Sequence, residues 1–238
     1  MLPRLAVAIL LATALRGCLT YEYEHEFWLR VDGSGTVHVT GQPALWTAFK
    51  GIGDAKDPDG TVTKDAVRQL FERSGMRVEK VTLTRRGAQP YLFVSARFDE
   101  VSHLSYSPAF PDLRIALVKD GGRLGLEGSW QRPLDTPDIG GRDREGLMAV
   151  RFHLPSRVYG HRNAKDGVER GNILSWRQDV AAGLDGSRLE FGAVMDERSI
   201  LFSTVLLFGG AVVIAVLLLG FGLWALVHRG RRDLERAA

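Results

Sequence analysis

The sequence predicts an α+β fold: a mostly antiparallel sheet with two helices on one face, followed by one C-terminal transmembrane helix. Three observations lead to this prediction. Runs of alternating apolar and polar residues recur along the chain, separated by turns rich in glycine and aspartate. Two segments with helical spacing of apolar residues lie between the second and third of these runs. A long uncharged segment stands near the C-terminus.

The first pair of strands is the clearest in the sequence. Tyr21–Val31 alternates with period two, so most of its apolar side chains face one way and its glutamates face the other. The turn Asp32-Gly-Ser-Gly35 then leads into Thr36–Thr40. We therefore expect a β-hairpin here.

Two helices are expected next. Pro43–Ile52 carries apolar residues at helical spacing, and a loop at residues 53–60 follows it. The second helix is predicted over Lys64–Arg73, because Thr63 is a good N-cap and Ser74-Gly75 is a good stop signal.

The remaining elements are strands and loops. Strands are predicted at Arg77–Thr84, Tyr91–Phe98, Leu113–Val118, Arg123–Glu127, Leu147–Leu154, Asn172–Arg177 and Ser187–Val194. Gln131–Arg144 is rich in Pro, Gly, Asp and Arg and is expected to be an exposed loop. A basic loop, either solvated or in contact with anionic lipid headgroups, is expected around Arg157, His161, Arg162, Lys165 and Arg170.

The segment from Ile200 to Val227 is predicted to cross a membrane. Its 28 residues include no charged residue and no Asn, Gln, His or Pro. A helix of this length reaches about 42 Å, more than the roughly 30 Å of a bilayer's hydrocarbon core. Arg229, Arg231 and Arg232 follow directly, and the positive-inside rule then assigns residues 228–238 to a basic cytoplasmic tail.

The N-terminus is predicted to be a signal peptide over residues 1–17. Arg4 precedes the short apolar run Leu5–Leu15, a length typical of a secretory leader. Leu15-Arg-Gly-Cys18 resembles the bacterial lipobox, although Arg16 departs from that pattern. Cys18 is therefore a candidate for lipidation, with cleavage nearby or an uncleaved anchor as alternatives. Residues 18–199 form the expected extracytoplasmic domain, and residues 200–227 form the membrane span.

Charge and cysteine content exclude several classes of function. The sequence pI is about 9.2, but six of the 31 basic residues lie near the two ends, which leaves 25 basic against 26 acidic side chains over residues 19–199. Without a basic domain, nucleic-acid binding loses its main support. Cys18 is the only cysteine, so the domain is expected to have no internal disulfide and no cysteine-ligated metal.

The second half of the domain resembles the LppM-domain family of bacterial envelope lipoproteins. The matching residues are Phe152-His-Leu-Pro155, Asn163, Leu174-Ser-Trp176, Leu189-Glu-Phe191 and the span from Ile200, together with the layout from Cys18 to Gly35. The resemblance covers about a third of the chain and implies architecture and an envelope location more than an activity.

No motif for catalysis, cofactor or metal binding is recognised. Asp54-Ala-Lys-Asp57-Pro-Asp59-Gly60 lacks the ligand spacing of an EF-hand. The histidines form neither HExxH nor a close pair, and Ser129 has no recognisable catalytic partner. We therefore predict no metal site, no cofactor and no enzymatic activity.

Aromatic residues predict either an ordinary core or an apolar groove for a ligand. The hypothetical groove is lined by Tyr23, Phe27, Trp46, Phe49, Leu70 and Phe93. The sequence thus indicates a single-pass protein of the bacterial cell membrane that contacts membrane lipid and binds an amphiphile or an envelope protein. An envelope enzyme with an unrecognised active site is the alternative.

Overall fold

Eleven strands form two sheets in the computed structural model, which describes residues 20–105, 107–141, 144–169 and 172–237. The strands are β1 (Tyr23–Leu29), β2 (Gly35–Gly41), β3 (Arg77–Arg86), β4 (Gln89–Phe98), β5 (Leu113–Asp120), β6 (Arg123–Trp130), β7 (Leu147–His153), β8 (Val158–Arg162), β9 (Lys165–Glu169), β10 (Ile173–Asp179) and β11 (Leu189–Asp196). The helices are α1 (Pro43–Lys50), α2 (Pro58–Thr61), α3 (Lys64–Arg73), α4 (Val180–Leu184) and α5 (Ile200–Ala237), with a 3-10 turn at Val101–Leu104. The predicted α+β class is confirmed. The predicted signal peptide and Cys18 lie outside the described residues.

The larger sheet has seven strands in the order β3-β4-β2-β1-β7-β10-β9. Every neighbouring pair is antiparallel except β1 and β7, which run parallel. Tyr23 on β1 lies opposite Gly41 on β2 and opposite Met148 on β7. Strand β1 is therefore central and joins the N-terminal and C-terminal parts of the domain.

The smaller sheet corrects the expectation of a single sheet. Its four strands have the order β5-β6-β11-β8, and all are antiparallel. The β5–β6 hairpin turns through Gly121 and Gly122, whose φ angles of 53° and 78° favour glycine. Alternation predicted these strands but not which sheet each would join, because both sheets have an apolar and a polar face.

One apolar core connects the two sheets. Phe27 on β1 stacks on Phe152 on β7 with ring centroids 4.8 Å apart, and Phe191 of the smaller sheet lies 5.4 Å from Phe152. Tyr23 likewise stacks on Trp130 of the smaller sheet at 5.6 Å. The inner faces of both sheets thus bury each other's aromatic side chains.

Helices α1 and α3 contribute buried side chains to this core. All eight residues of α1 are buried. The predicted helix over Lys64–Arg73 is confirmed as α3, and the Thr63 hydroxyl accepts a hydrogen bond from the amide of Ala66 at 3.2 Å. Trp46 of α1 packs against Phe71 of α3, with ring centroids 6.2 Å apart. The placement of both helices on one face of the sheet stays a prediction.

The prediction of a basic loop around residues 157–170 is wrong for most of this segment. Residues 158–162 form β8 and residues 165–169 form β9, and Asn163 turns the chain between them with a φ of 61°. Both are edge strands, and the residues of β8 are partly or fully exposed. The apolar alternation that reveals a strand is therefore missing here. Arg170 lies outside the described residues.

The last element is an apolar helix. Helix α5 has 38 residues, and its segment Thr204–Trp224 has 21 residues with a mean hydropathy of 2.7. Among the described residues, this one helix is long and apolar enough to span a membrane. Large apolar side chains such as Leu207 and Leu219 are exposed. Arg229, Arg231 and Arg232 follow this segment within the same helix.

Candidate functional site

The residues predicted to line an apolar groove form core instead. Five of the six are buried: Tyr23, Phe27, Trp46, Phe49 and Leu70. The Tyr23 ring lies 5.1 Å from Phe49 and 5.6 Å from Trp130, so aromatic side chains fill the space between the sheets and α1. Phe93 points away from them and lies 5.0 Å from His38. The groove prediction is wrong because the same inward-facing aromatics that would line a slot pack against the second sheet.

Two surface pockets have charged and polar residues in their linings. The first, about 680 Å³, is lined by Asp112, Ser129 and several arginines, including Arg132, together with Pro111, Pro133 and Leu134. The second, about 800 Å³, includes Gln42, whose side-chain amide donates to Glu22 at 2.6 Å. The lining of the second pocket is mainly polar and does not favour an apolar chain as ligand there.

A polar and aromatic cluster lies on the outer face of the larger sheet. We call it the sheet-face cluster; its members are Glu24, Glu26, Trp28, His38, Arg151 and His153. Strand register explains the grouping, because Glu26 on β1 lies opposite His38 on β2 and Arg151 on β7, while Trp28 lies opposite His153. Residues at alternate positions of each strand share one face. All six side chains are partly exposed.

Ion pairs and ring contacts connect the sheet-face cluster. The Nε2 atom of His153 lies 2.7 Å from Oε1 of Glu26, within hydrogen-bonding distance. Nη1 of Arg151 lies 3.4 Å from carboxylate oxygens of both Glu24 and Glu26. The Trp28 ring stacks on the His153 ring of β7, with ring centroids 4.5 Å apart. On the other side of β1, its centroid lies 4.3 Å from that of the His38 ring of β2. The cluster therefore combines an aromatic surface with both signs of charge.

The two carboxyl groups of the cluster differ in their pKa. Burial raises the pKa of Glu24 more than the nearby Arg151 lowers it. Burial also raises the pKa of Glu26, but the hydrogen bond with His153 and the charge of Arg151 outweigh it, so this pKa is lowered. Burial lowers the pKa of His38. Oε1 of Glu24 and Nε of Arg151 have no hydrogen-bond partner, so the polar network has unused bonding capacity.

Sequence reasoning found half of this cluster. Alternation in β1 predicts that the glutamates lie on one face, and Trp28, two positions after Glu26, lies on the same face. The contribution of β7 depends on parallel pairing with β1, and Glu26 and His153 are 127 positions apart. No local pattern reports such a contact.

A second polar group is buried in the core. Nζ of Lys50, at the end of α1, lies 2.6 Å from Oδ1 of Asp112, and both side chains are fully buried. The indole Nε1 of Trp130 donates to Oδ2 of Asp112 at 2.6 Å. Nε2 of His25 lies 4.0 Å from the same oxygen, and neither ring nitrogen of His25 has a hydrogen-bond partner. We call Lys50 and Asp112 the buried pair.

Burial dominates the electrostatics of this group. It lowers the pKa of Lys50 to about 8 against the opposing effect of Asp112, and it raises the pKa of Asp112 against the opposing effect of Lys50. Burial and the charge of Lys50 hold the pKa of His25 well below its usual range. The two shifts bring the pKa values of Lys50 and Asp112 closer together than in water, so transfer of a proton from the amine to the carboxylate costs less here than in solution.

The acidic loop at residues 54–60 has a structural role. Asp57 is the N-cap of α2, and its carboxylate accepts a hydrogen bond from the amide of Gly60 at 3.2 Å. Across the ranges that the structure describes, no three His, Cys, Asp or Glu side chains are grouped to hold a metal ion.

The end of the domain next to α5 carries an exposed tyrosine between two arginines. The Tyr159 hydroxyl donates to Asp196 at 2.9 Å, and the guanidinium carbons of Arg123 and Arg157 lie 5.2 Å and 5.9 Å from its ring centroid. The amide of Ile200, the first residue of α5, donates to the carbonyl of Pro155 at 3.1 Å. This end of the smaller sheet therefore lies beside the start of the apolar helix.

Comparison with known proteins finds neither a matching protein-family model nor a significantly similar curated protein. The resemblance to the LppM-domain family stays a prediction.

Proposed function

We propose that the chain is a single-pass protein of the bacterial cell membrane whose extracytoplasmic domain binds another envelope protein through the sheet-face cluster. The C-terminal tail is cytoplasmic, and the chain catalyses no reaction in this role. The single observation that carries the proposal is a partly exposed tryptophan flanked by two histidines, two carboxylates and an arginine on one sheet face.

Three features support the location. The apolar helix Thr204–Trp224 is long enough to cross a bilayer. Arg229, Arg231 and Arg232 favour a cytoplasmic C-terminus. Tyr159 with its neighbouring arginines is typical of side chains at the level of lipid headgroups. The leader at residues 1–17 and the resemblance to LppM-domain lipoproteins favour export of the domain.

The composition of the sheet-face cluster supports a protein as the partner. Tryptophan and arginine are enriched among the residues that contribute most to protein interfaces. Here Trp28 is held by ring contacts on both sides, so it loses little conformational freedom on binding. Charged groups of both signs favour a partner surface with complementary acidic and basic side chains. An amphiphile is less well supported, because the predicted groove is filled by core residues.

An envelope enzyme is the second candidate, and the contact between Glu26 and His153 favours it. A carboxylate hydrogen-bonded to a histidine orients the ring, an arrangement used in general base catalysis. Such a site also requires a cavity for the substrate. Neither residue lines the two surface pockets described above, so binding is the better supported function.

Photo-crosslinking in the producing cells tests the proposed interface. A photoreactive amino acid replaces Thr36 on the outer face of β2 or, as the control, Leu83 on the exposed edge strand β3. We expect one discrete protein adduct from position 36, its loss on combining Trp28→Ala with Arg151→Glu, and no such adduct from position 83. The adduct is then identified by mass spectrometry and its binding measured with the purified partner.

Other outcomes contradict parts of the proposal. Lipid adducts alone at position 36 would replace the protein partner with an amphiphile. Equal adducts at positions 36 and 83 would exclude a face-specific site. A reporter fused after residue 238 tests orientation separately, since an exported reporter would contradict the cytoplasmic tail.

A further inference from the structure

The buried pair joins two distant parts of the domain at a single point. Lys50 ends α1, and Asp112 directly precedes β5, 62 positions later. Both side chains are inaccessible to solvent. The Lys50 amine lies 4.3 Å from the centroid of the Phe110 ring. This is an unusual place for a lysine, because lysine is almost never fully buried without a specific partner.

As an ion pair, these two groups would be held at a high desolvation cost. Replacing buried ion pairs with apolar side chains of similar volume is often neutral or stabilising, so such a pair is weak evidence of stabilisation by charge. The surroundings are mainly aromatic, and the unpartnered His25 ring is 0% exposed. Another explanation of the 2.6 Å approach of Nζ to Oδ1 is therefore worth testing.

We propose that Lys50 and Asp112 become joined by an intramolecular amide bond between Nζ and Cγ inside the folded domain. The neutral amine attacks the carbon of the protonated carboxyl group, the new N–C bond forms, and one C–O bond breaks. One water molecule leaves, made from the departing hydroxyl group and a proton lost by the nitrogen. No oxidant or other co-reactant is required.

The two groups are already in contact. Nζ and Oδ1 lie 2.6 Å apart, the distance of a charge-assisted hydrogen bond. In the amide product the nitrogen and the remaining oxygen lie about 2.2 Å apart, so Nζ must leave this hydrogen bond and approach Cγ. Packing holds both groups in place, which is the entropic advantage of an intramolecular reaction.

Two neighbouring residues have the chemistry that the reaction needs. The indole of Trp130 donates to Oδ2 of Asp112, and this hydrogen bond holds Oδ2 as the oxygen that leaves while Oδ1, beside Nζ, is retained in the amide. His25 lies 4.0 Å from Oδ2 and has both ring nitrogens available, so it can carry the proton from the amine to the departing oxygen. The surface pocket of about 680 Å³ has Asp112 among its lining residues, although the Asp112 side chain itself is inaccessible to solvent.

The proposed link would act as a covalent staple in a domain that lacks an internal disulfide. Cys18 is the only cysteine of the chain. An amide bond resists reduction and would restrict the unfolded chain over the 62 positions between its ends, in the same way as a disulfide does.

Peptide mass spectrometry of the full-length protein tests the proposal directly. Trypsin cannot cleave after an acylated lysine, so the linked protein should yield residues 31–56 joined to residues 98–114. This species is lighter than the two peptides together by the mass of one water molecule. Recovery of unlinked 31–50 and 98–114 in full yield from folded protein would overturn the proposal and leave a simple ion pair.

Variants separate the chemistry from folding. Asp112→Asn keeps the side-chain shape, and its link should form with loss of one ammonia in place of one water. Lys50→Met should abolish the link, with near-ultraviolet circular dichroism checking that the domain is folded. His25→Phe should slow linking after synthesis on the order of a hundredfold. An unchanged rate would remove His25 from the mechanism, and a linked species persisting in Lys50→Met would exclude Lys50 as the nucleophile.

Discussion

Truncating Phe191 to alanine should destabilise the whole domain by about 3–5 kcal/mol, the range observed for large core truncations. Phe191 is on β11 of the smaller sheet and is fully buried. Its ring lies 5.4 Å from Phe152 and 5.7 Å from Trp176, which both belong to the larger sheet. Burying a phenylalanine side chain contributes about 3 kcal/mol, and the cavity left between the sheets raises the loss. A domain at the lower end of the ordinary range of about 5–15 kcal/mol would then be close to unfolding.

Urea unfolding of the full chain in detergent micelles measures this loss. Tryptophan fluorescence and near-ultraviolet circular dichroism should report one coincident transition, because Trp130 and Trp176 lie in different sheets that share one core. A double-mutant cycle with Phe152→Ala should give a coupling energy of about 0.5–1.5 kcal/mol for the aromatic pair. Val194→Ala on the same strand is the control, since Val194 is 40% exposed, and it should change stability by less than about 1 kcal/mol.

Two results would refute the reasoning about a shared core. One is a loss below about 1 kcal/mol for Phe191→Ala, which would mean that the ring is not packed as described. The other is a pair of separate transitions, one for each sheet, with Phe191→Ala affecting only the smaller sheet.

Three further predictions concern single positions. Gly35→Ala should lower the free energy of unfolding by about 1–3 kcal/mol, because the new Cβ would lie 2.2 Å from a carbonyl oxygen of the facing strand. Gly160→Ala is the control: its Cβ would have nothing within 4 Å, and it should change stability by under about 0.5 kcal/mol in the same urea assay. Burial and the charge of Lys50 hold the pKa of His25 well below 6.5, so below pH 6.5 only the unfolded chain gains a proton at this residue. The free energy of unfolding should therefore fall by up to about 1.4 kcal/mol per pH unit below pH 6.5, and His25→Phe should flatten that slope. Arg151→Met should cost about 1–2 kcal/mol at pH 7, a value reduced because the Arg151 side chain is 27% exposed. The cost should fall as the pH is lowered and the carboxylates lose their charge, Glu24 first because burial raises its pKa; an equal cost at neutral and low pH would exclude loss of the ion pairs as its cause.

Local patterns predicted most of the elements. The predicted bounds Lys64–Arg73 for the second long helix agree with α3, because its N-cap, apolar stripe and stop signal lie within about ten residues of each other. The first hairpin was predicted for the same reason, since its turn and its alternation are contiguous. Strands β8 and β9 were missed because edge strands face solvent and need no apolar alternation.

Contacts between distant residues could not be predicted from local patterns. The sheet-face cluster depends on the parallel pairing of β1 with β7, and the buried pair joins positions 62 residues apart. An isolated lysine at the end of an amphipathic helix, such as Lys50, usually indicates a solvated terminus. The groove prediction failed because a pattern of inward-facing aromatics indicates that they are buried but does not indicate whether a ligand or a second sheet covers them.

The central position of β1 has a consequence for how the domain matures. Ribosomes deliver the chain from its N-terminus, so β1 can pair with β2 early, but its other neighbour ends at residue 153. Until that residue is available, one side of β1 presents unpaired amide and carbonyl groups and an uncovered apolar face to any nearby polypeptide. Productive folding is therefore postponed until most of the domain has been synthesised, and the half-made sheet is the state that a chaperone would need to protect.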